Sequence, residues 1–126
     1  LNLLLDTHIL IWWATDDRKL PEGCRELLAS PSNTVYFSSL SIWEVAIKHA
    51  RGALRLSAEP LREQSLLAGL LELPFLSTHA ARVEVLPPHH ADPFDRGLIA
   101  QALSQSFVLV SQDEYIRQYD LQLRYF

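Results

Sequence analysis

The sequence predicts an α/β domain built on a central parallel sheet. Three observations point there. Short apolar runs (LNLLL at Leu1–Leu5, VYF at Val35–Phe37, FVLV at Phe107–Val110) are separated by segments of helical period. The first and last of these runs are apolar almost throughout, as in parallel strands covered on both faces. Strands that alternate with helices imply helical crossovers between parallel neighbours. With 126 residues, 48% hydrophobic and 21% charged, the chain has globular composition. At this length folding hides roughly two-thirds of the unfolded surface. That suffices for one core without a disulfide or structural metal, so residues 1–126 are expected to form a single domain.

The elements follow in order. Leu1–Leu5 ends at a polar residue and reads as a buried strand. Thr7–Ala14 (THILIWWA) and Lys19–Leu28, with Pro21 near its start, read as helices. Ser30-Pro31-Ser32-Asn33 is a loop, and β-branched and aromatic Val35–Phe37 the second strand. In SSLSIWEVAIKHARG, Ile42, Val45 and Ala46 recur at i, i+3, i+4. Ser41 and Glu44 have capping-box spacing, and Gly52 is a natural stop. Glu59–Leu71 reads as a helix with Leu66, Leu67, Leu70 and Leu71 on one side. The third strand is placed at Leu73–Leu76 in preference to Val83–Leu86. Thr78 is expected to cap a short helix through Arg82. Pro87-Pro88 enforces an extended turn. Asp92 fits an N-cap and Pro93 the first helical position of a helix burying Leu98, Ile99, Ala102 and Leu103. After the FVLV strand, Ser111-Gln112-Asp113 turns into a short helix, Glu114–Tyr119. Leu121–Phe126 then closes the sheet as a last strand.

Several classes are excluded. The lone Cys24 cannot form an internal disulfide. No apolar run approaches the ~20 residues of a membrane helix. LNLLLDTHILIWW is interrupted by Asn2, Asp6 and His8 and lacks the basic start of a signal peptide. A cytoplasmic location is expected. The net charge of −4 argues against a broad basic nucleic-acid coat.

The acids carry the chemistry. In an open parallel sheet, ligands bind beyond the carboxyl ends of the strands. Asp6 directly follows the first strand, and Asp113 comes three residues after Val110. Glu44 lies in the helix after strand two, and Asp95 in the first turn of the helix before FVLV. All four can meet at one end of the sheet. Two unit charges ~4 Å apart repel by on the order of 4 kcal/mol at an effective dielectric near 20. Protonation or a divalent cation must relieve such a cluster, and an all-carboxylate site suits Mg²⁺ or Mn²⁺ rather than zinc. Taken singly each acid has a plainer reading. Glu44 can be a capping partner of Ser41 or an i,i+4 partner of Lys48, Asp92 and Asp95 can stabilise a helix start, and Asp113 can cap the next helix. The case rests on the four together. His8, His89 and His90 are candidates for metal ligands or pH-sensitive groups; His8, two residues from Asp6, is counted as a supporting site residue, with packing at a helix start as its plainer reading. His89 and His90, after two prolines, read as a solvated loop. Trp12, Trp13 and Trp43 read as core or interface aromatics.

The blocks LLLDTHILIWW, SSLSIWEVAIK, ADPFDRGLIAQA and FVLVSQDEYIRQYD resemble, in order, those of PIN-domain proteins, and most closely VapC-type toxins of toxin–antitoxin pairs. The resemblance runs from Leu3 to the last strand. It implies a three-layer α/β/α domain with a parallel sheet of four to five strands and Mg²⁺- or Mn²⁺-dependent endoribonuclease activity. The family's four acids fall on Asp6, Glu44, Asp95 and Asp113. Asp92 belongs to the DPFD block as a supporting acid, and Ser111 fits the small hydroxyl residue two positions before the last acid. A cognate VapB-like antitoxin is implied, with an Arg or Lys entering the acidic pocket. Lys48, Arg51 and Arg96 are candidate phosphate contacts at the rim. Aromatic and aliphatic excess in the first helices (Ile11, Trp12, Trp13, Leu20, Leu27) predicts an exposed patch and a homodimer.

Two other readings compete. One is a non-catalytic module that keeps the acidic pocket to bind an antitoxin or RNA. The other is a receiver-like domain, disfavoured because Thr7 and His8, not a second acid, follow Asp6.

Overall fold

The computed structural model describes all 126 residues. One sheet holds five strands in the order β3-β2-β1-β4-β5, every neighbouring pair parallel. The strands are β1 (Asn2–Leu5), β2 (Thr34–Ser38), β3 (Leu71–Leu73), β4 (Val108–Ser111) and β5 (Leu123–Tyr125). The helices are α1 (Thr7–Ala14), α2 (Glu22–Ala29), α3 (Ser39–Ala50), α4 (Ala58–Leu67), α5 (Ser77–Arg82) and α6 (Pro93–Gln105). Short 3₁₀ turns occupy Val83–Val85 and Ile116–Gln118. The architecture is three-layer α/β/α.

Strand alternation makes the two outer layers. Leu3 and Leu5 of β1, Val35 and Phe37 of β2, and Val108 and Val110 of β4 face one side. There they meet Ile9 and Leu10 of α1, Cys24 of α2, Val45 of α3 and Leu61 of α4. Leu4 and Leu109 face the other side, where Leu98, Ile99 and Ala102 of α6 pack with Phe107, Ile116 and Tyr119. Both faces are dry, so the central strands show no polar alternation. Leu4 pairs with both Tyr36 and Leu109, and Leu5 pairs with Val110. Asp6 and Ser111 therefore leave the sheet side by side. The Asp6 N–H donates to Val110 O at 3.0 Å, which extends the pairing by one residue.

Several expectations needed correction. The third strand lies at Leu71–Leu73, two residues earlier than expected, because α4 stops at Leu67. Gly69, at φ 92°, then turns the chain into the sheet. The cap of α3 is Ser38, whose Oγ accepts from Leu40 N–H at 3.0 Å; Ser41 sits inside the helix. Thr78 does not cap α5. Leu76 precedes that helix, and its N–H donates to Nδ1 of buried His79 at 2.9 Å. The expected Glu114–Tyr119 helix is the 3₁₀ turn, and β5 is only three residues long. The apolar patch expected on the first helices is not an open surface. Leu20 is buried, and Ile11, Trp12, Trp13 and Leu27 are half-buried against the core. Of the core and interface readings for Trp43, the core one fails: the side chain is 59% exposed on α3 and meets the Phe94 ring edge-on. No helix is long and apolar enough to cross a membrane.

Candidate functional site

Asp6 is the best-held acid. As the N-cap of α1 it accepts from His8 N–H through Oδ1 at 2.7 Å. Its Oδ2 accepts from the Ser111 hydroxyl at 2.5 Å. Ser111 Oγ accepts in turn from Asp113 N–H at 3.0 Å. One buried hydroxyl thus links the acid after β1 to the acid after β4, and both of its bonds fix geometry. Burial raises the Asp6 carboxyl above its ordinary value, against the opposing pull of the Ser111 hydrogen bond and of His8. Thr7 Oγ1 and Ser41 Oγ, 2.9 Å apart and buried, tie α1 to α3 just behind.

Glu44 enters from α3 and is almost fully buried. Its Oε2 meets Lys48 Nζ at 2.6 Å, the i,i+4 contact its spacing allows. Its Oε1 is buried without a hydrogen-bond partner. A buried carboxylate oxygen left unpaired is costly, and it marks a place where a cation or donor is missing from the chain's own complement.

Asp95 stands in the first turn of α6, which Asp92 caps by accepting from Phe94 and Asp95 N–H at 2.9 and 3.0 Å. Burial pushes the Asp95 carboxyl up to about 8, and the charges of Asp92, Asp6, Asp113 and Glu44 push the same way. All four predicted acids therefore share one electrostatic environment. Asp113 lies between two adjoining clefts. One, of about 500 Å³, is lined by Asp95, Asp92, His90 and Tyr115 among others; the second, of about 250 Å³, by Asp6, His8, Trp12 and Gln112. Asp113 Oδ1 also accepts from Tyr115 N–H at 2.9 Å, the local turn role its position allows.

The donor set is hard oxygen, as Mg²⁺ and Mn²⁺ prefer. With Asp6 engaged on both oxygens and Glu44 held by Lys48, no three His, Cys, Asp or Glu side chains are poised around a common point for an ion. The chemistry of the donors and the orphaned Glu44 Oε1 fit a divalent cation.

Other predicted residues separate. His8 is exposed, with Nδ1 3.9 Å from Asp6 Oδ1. His90 is not in a solvated loop: its side chain is 8% exposed, and Nε2 lies 3.3 Å from Asp95 Oδ2. His89 meets the Tyr119 ring edge-on. Arg96 is not a free rim cation, because its guanidinium is spent on the carbonyls of Pro87, His90, Val83 and Leu86 and on the Tyr119 hydroxyl. Arg51 is exposed at the end of α3. The sequence reading missed Gln101. It is fully buried, accepts from Ser38 Oγ at 2.5 Å and donates to Leu73 O and Pro74 O at 3.3 Å, joining α6 to the ends of β2 and β3. Its signal was present: a polar residue three after Leu98, on the face meant for the core.

The profile of the PIN domain family matches residues 3–121. The chain belongs to the PIN domain family. No curated protein matches it in sequence. Among solved structures, this PIN domain is similar to a chain of VapBC2 from Rickettsia felis, crystallised with a DNA fragment from its promoter. The TM-score is 0.72 at 18% identity, over 100% of this chain and 99% of that one. A chain of DNA-bound VapBC from Salmonella typhimurium gives 0.71 at 18% identity, over 98% and 97%. VapBC-5 from Mycobacterium tuberculosis, a member of the VapBC family of toxin–antitoxin systems, gives 0.59 at 19% identity, over 99% and 97%. At such identities the likeness is one of fold.

Proposed function

We propose that this PIN domain is a VapC-type toxin: an endoribonuclease that hydrolyses RNA phosphodiesters with Mg²⁺ or Mn²⁺ and is silenced by a VapB-like antitoxin. A homodimer and a cytoplasmic location belong to the same reading. One observation carries it. Burial first, and then the charges of Asp92, Asp6, Asp113 and Glu44, push the Asp95 carboxyl up to about 8, so acids from four separate elements bear on one group at one end of the sheet. Stability alone gives no reason to gather them, since like charges at close range destabilise a fold. The VapBC complexes among the structural relatives support the antitoxin.

Asp6, Glu44, Asp95 and Asp113 would hold the ion. A bound divalent ion lowers the pKa of a coordinated water and stabilises charge on the phosphate and the leaving oxygen. The chain's own residues prepare that chemistry. Ser111 and the α1 N-terminus hold Asp6 in one orientation. Asp92, as helix cap, fixes the start of α6 and so the position of Asp95. Ser111 sets the Asp113 backbone through its N–H. An anionic substrate is repelled by the bare acids, so productive binding of RNA requires their neutralisation.

A second reading, a non-catalytic module that binds an antitoxin, draws on Lys48. Its ammonium against Glu44 at 2.6 Å makes the pocket one that a cationic side chain can neutralise, as an inserted antitoxin Arg or Lys would. Cleavage of total cellular RNA by the purified protein separates the two. Discrete products are expected with Mg²⁺ or Mn²⁺, none with EDTA, and none from Asp6→Asn. Equal behaviour of wild type and Asp6→Asn across many RNAs would favour the binding module.

A further inference from the structure

Behind the acidic cleft runs a line of side chains whose hydrogen-bond direction is set by chemistry. The Arg96 guanidinium has only donors and stays protonated. Its Nη1 lies 2.9 Å from the Tyr119 hydroxyl, so it donates there. Having accepted from Arg96, the phenol has its own proton to give. Its other neighbour is Nδ1 of His90, also at 2.9 Å. With Nδ1 as the acceptor of that proton, the single proton of a neutral His90 ring would sit on Nε2. Nε2 faces Asp95 Oδ2 at 3.3 Å. The line is held at both ends. Arg96 is anchored by four backbone carbonyls, and the His90 ring lies flat on Tyr115, 5.6 Å between centroids and 3° between planes.

We propose that His90 is a positioning residue for Asp95: locked through Tyr119 and Arg96 as the Nε2–H tautomer, it donates to Oδ2, leaves Oδ1 for a cation, and is not itself a metal ligand. The metal clause rests on the function proposed above. The tautomer does not, and the experiment keeps the two apart. Partners that fix the orientation of a ligating group typically change metal affinity by about 10–100-fold when removed.

The first readout is the ¹⁵N–¹H long-range correlation spectrum of histidine rings in metal-free protein, at a pH where free imidazole is neutral. His90, assigned by loss of its signals in His90→Gln, is expected as the Nε2–H tautomer. Tyr119→Phe, which removes the proton given to Nδ1, is expected to turn it into a mixture. The second readout is Mn²⁺ affinity from the paramagnetic resonance of free Mn²⁺. His90→Ala should weaken binding about tenfold. His90→Gln, whose amide nitrogen reaches the Nε2 position, should recover most of that loss. An Nδ1–H tautomer in wild type overturns the proposal. So does His90→Ala binding Mn²⁺ as wild type does, or His90→Gln binding as poorly as His90→Ala, which would reduce the ring to packing. A wild-type protein with the Nε2–H tautomer that takes up no Mn²⁺ overturns the divalent-metal reading of the site instead.

Discussion

At the scale of single residues, Ser111 links two acids that are far apart in sequence. Ser111→Ala strips Asp6 of its hydroxyl donor inside a buried site, and losing a buried hydrogen bond to a charged group costs about 1–3 kcal/mol. The expected result is a lower urea midpoint with an unchanged denaturant slope. Asp95 predicts a pH dependence of opposite sense to an ordinary stabilised carboxylate. Its folded value is about 8 against an ordinary value of 3.8. Between those values the folded state keeps a proton that the unfolded chain releases, so this group makes stability fall as pH rises from about 4 to about 8. Asp95→Asn should flatten that fall in metal-free thermal scans across the window. The places of Asp6, Glu44, Asp95 and Asp113 in the fold were legible in the sequence because the topology defines each, just past a strand or in a helix beside one. His90 and Tyr119 were not. They meet only because the segment after Pro87-Pro88 folds back under Arg96, and no local pattern marks a contact across 29 residues.

At the scale of elements, the site depends on how closely α6 approaches α3. Gly97 makes that approach possible: a Cβ there would overlap Leu40 Cδ1 and press on the Phe75 ring at 3.3 Å. Gly97→Ala gains about 1 kcal/mol of helix propensity, but overpacking typically costs about 1–3 kcal/mol. Because Leu40 is buried, the net expectation is a lower melting temperature, and a shift of α6 that carries Asp95 with it. Strands covered on both faces were readable as apolar runs, and α6 announced itself through Asp92-Pro93. The cap of α3 was misplaced because the SSLS run offers Ser38 and Ser41 to the same helix start, and only Ser41 has Glu44 three residues on; the third strand and the cap of α5 were misplaced because these elements are short and specified by tertiary partners. Leu71 and Glu72 of β3 are exposed, so no burial pattern distinguishes that strand from a loop. Leu76 N–H finds its acceptor in a histidine ring, which no serine or threonine at the helix start foretells.

At the scale of the whole molecule, a chain of net charge −4 gathers four acids at one sheet edge and leaves Glu44 Oε1 unpaired. In the function proposed above, these acids form one divalent-cation site. Isothermal titration of Mn²⁺ into the metal-free protein tests this most directly, run near pH 7 in buffers of different ionisation enthalpy, beside Asp6→Asn, Asp95→Asn and Asp113→Asn. A carboxyl with a pKa of about 8 is mostly protonated there, and metal binding must displace its proton. Wild type is expected to bind saturably with release of protons, Asp95→Asn to release fewer protons per ion, and every variant to bind more weakly. Absence of binding, or binding that none of the three substitutions disturbs, would contradict that site.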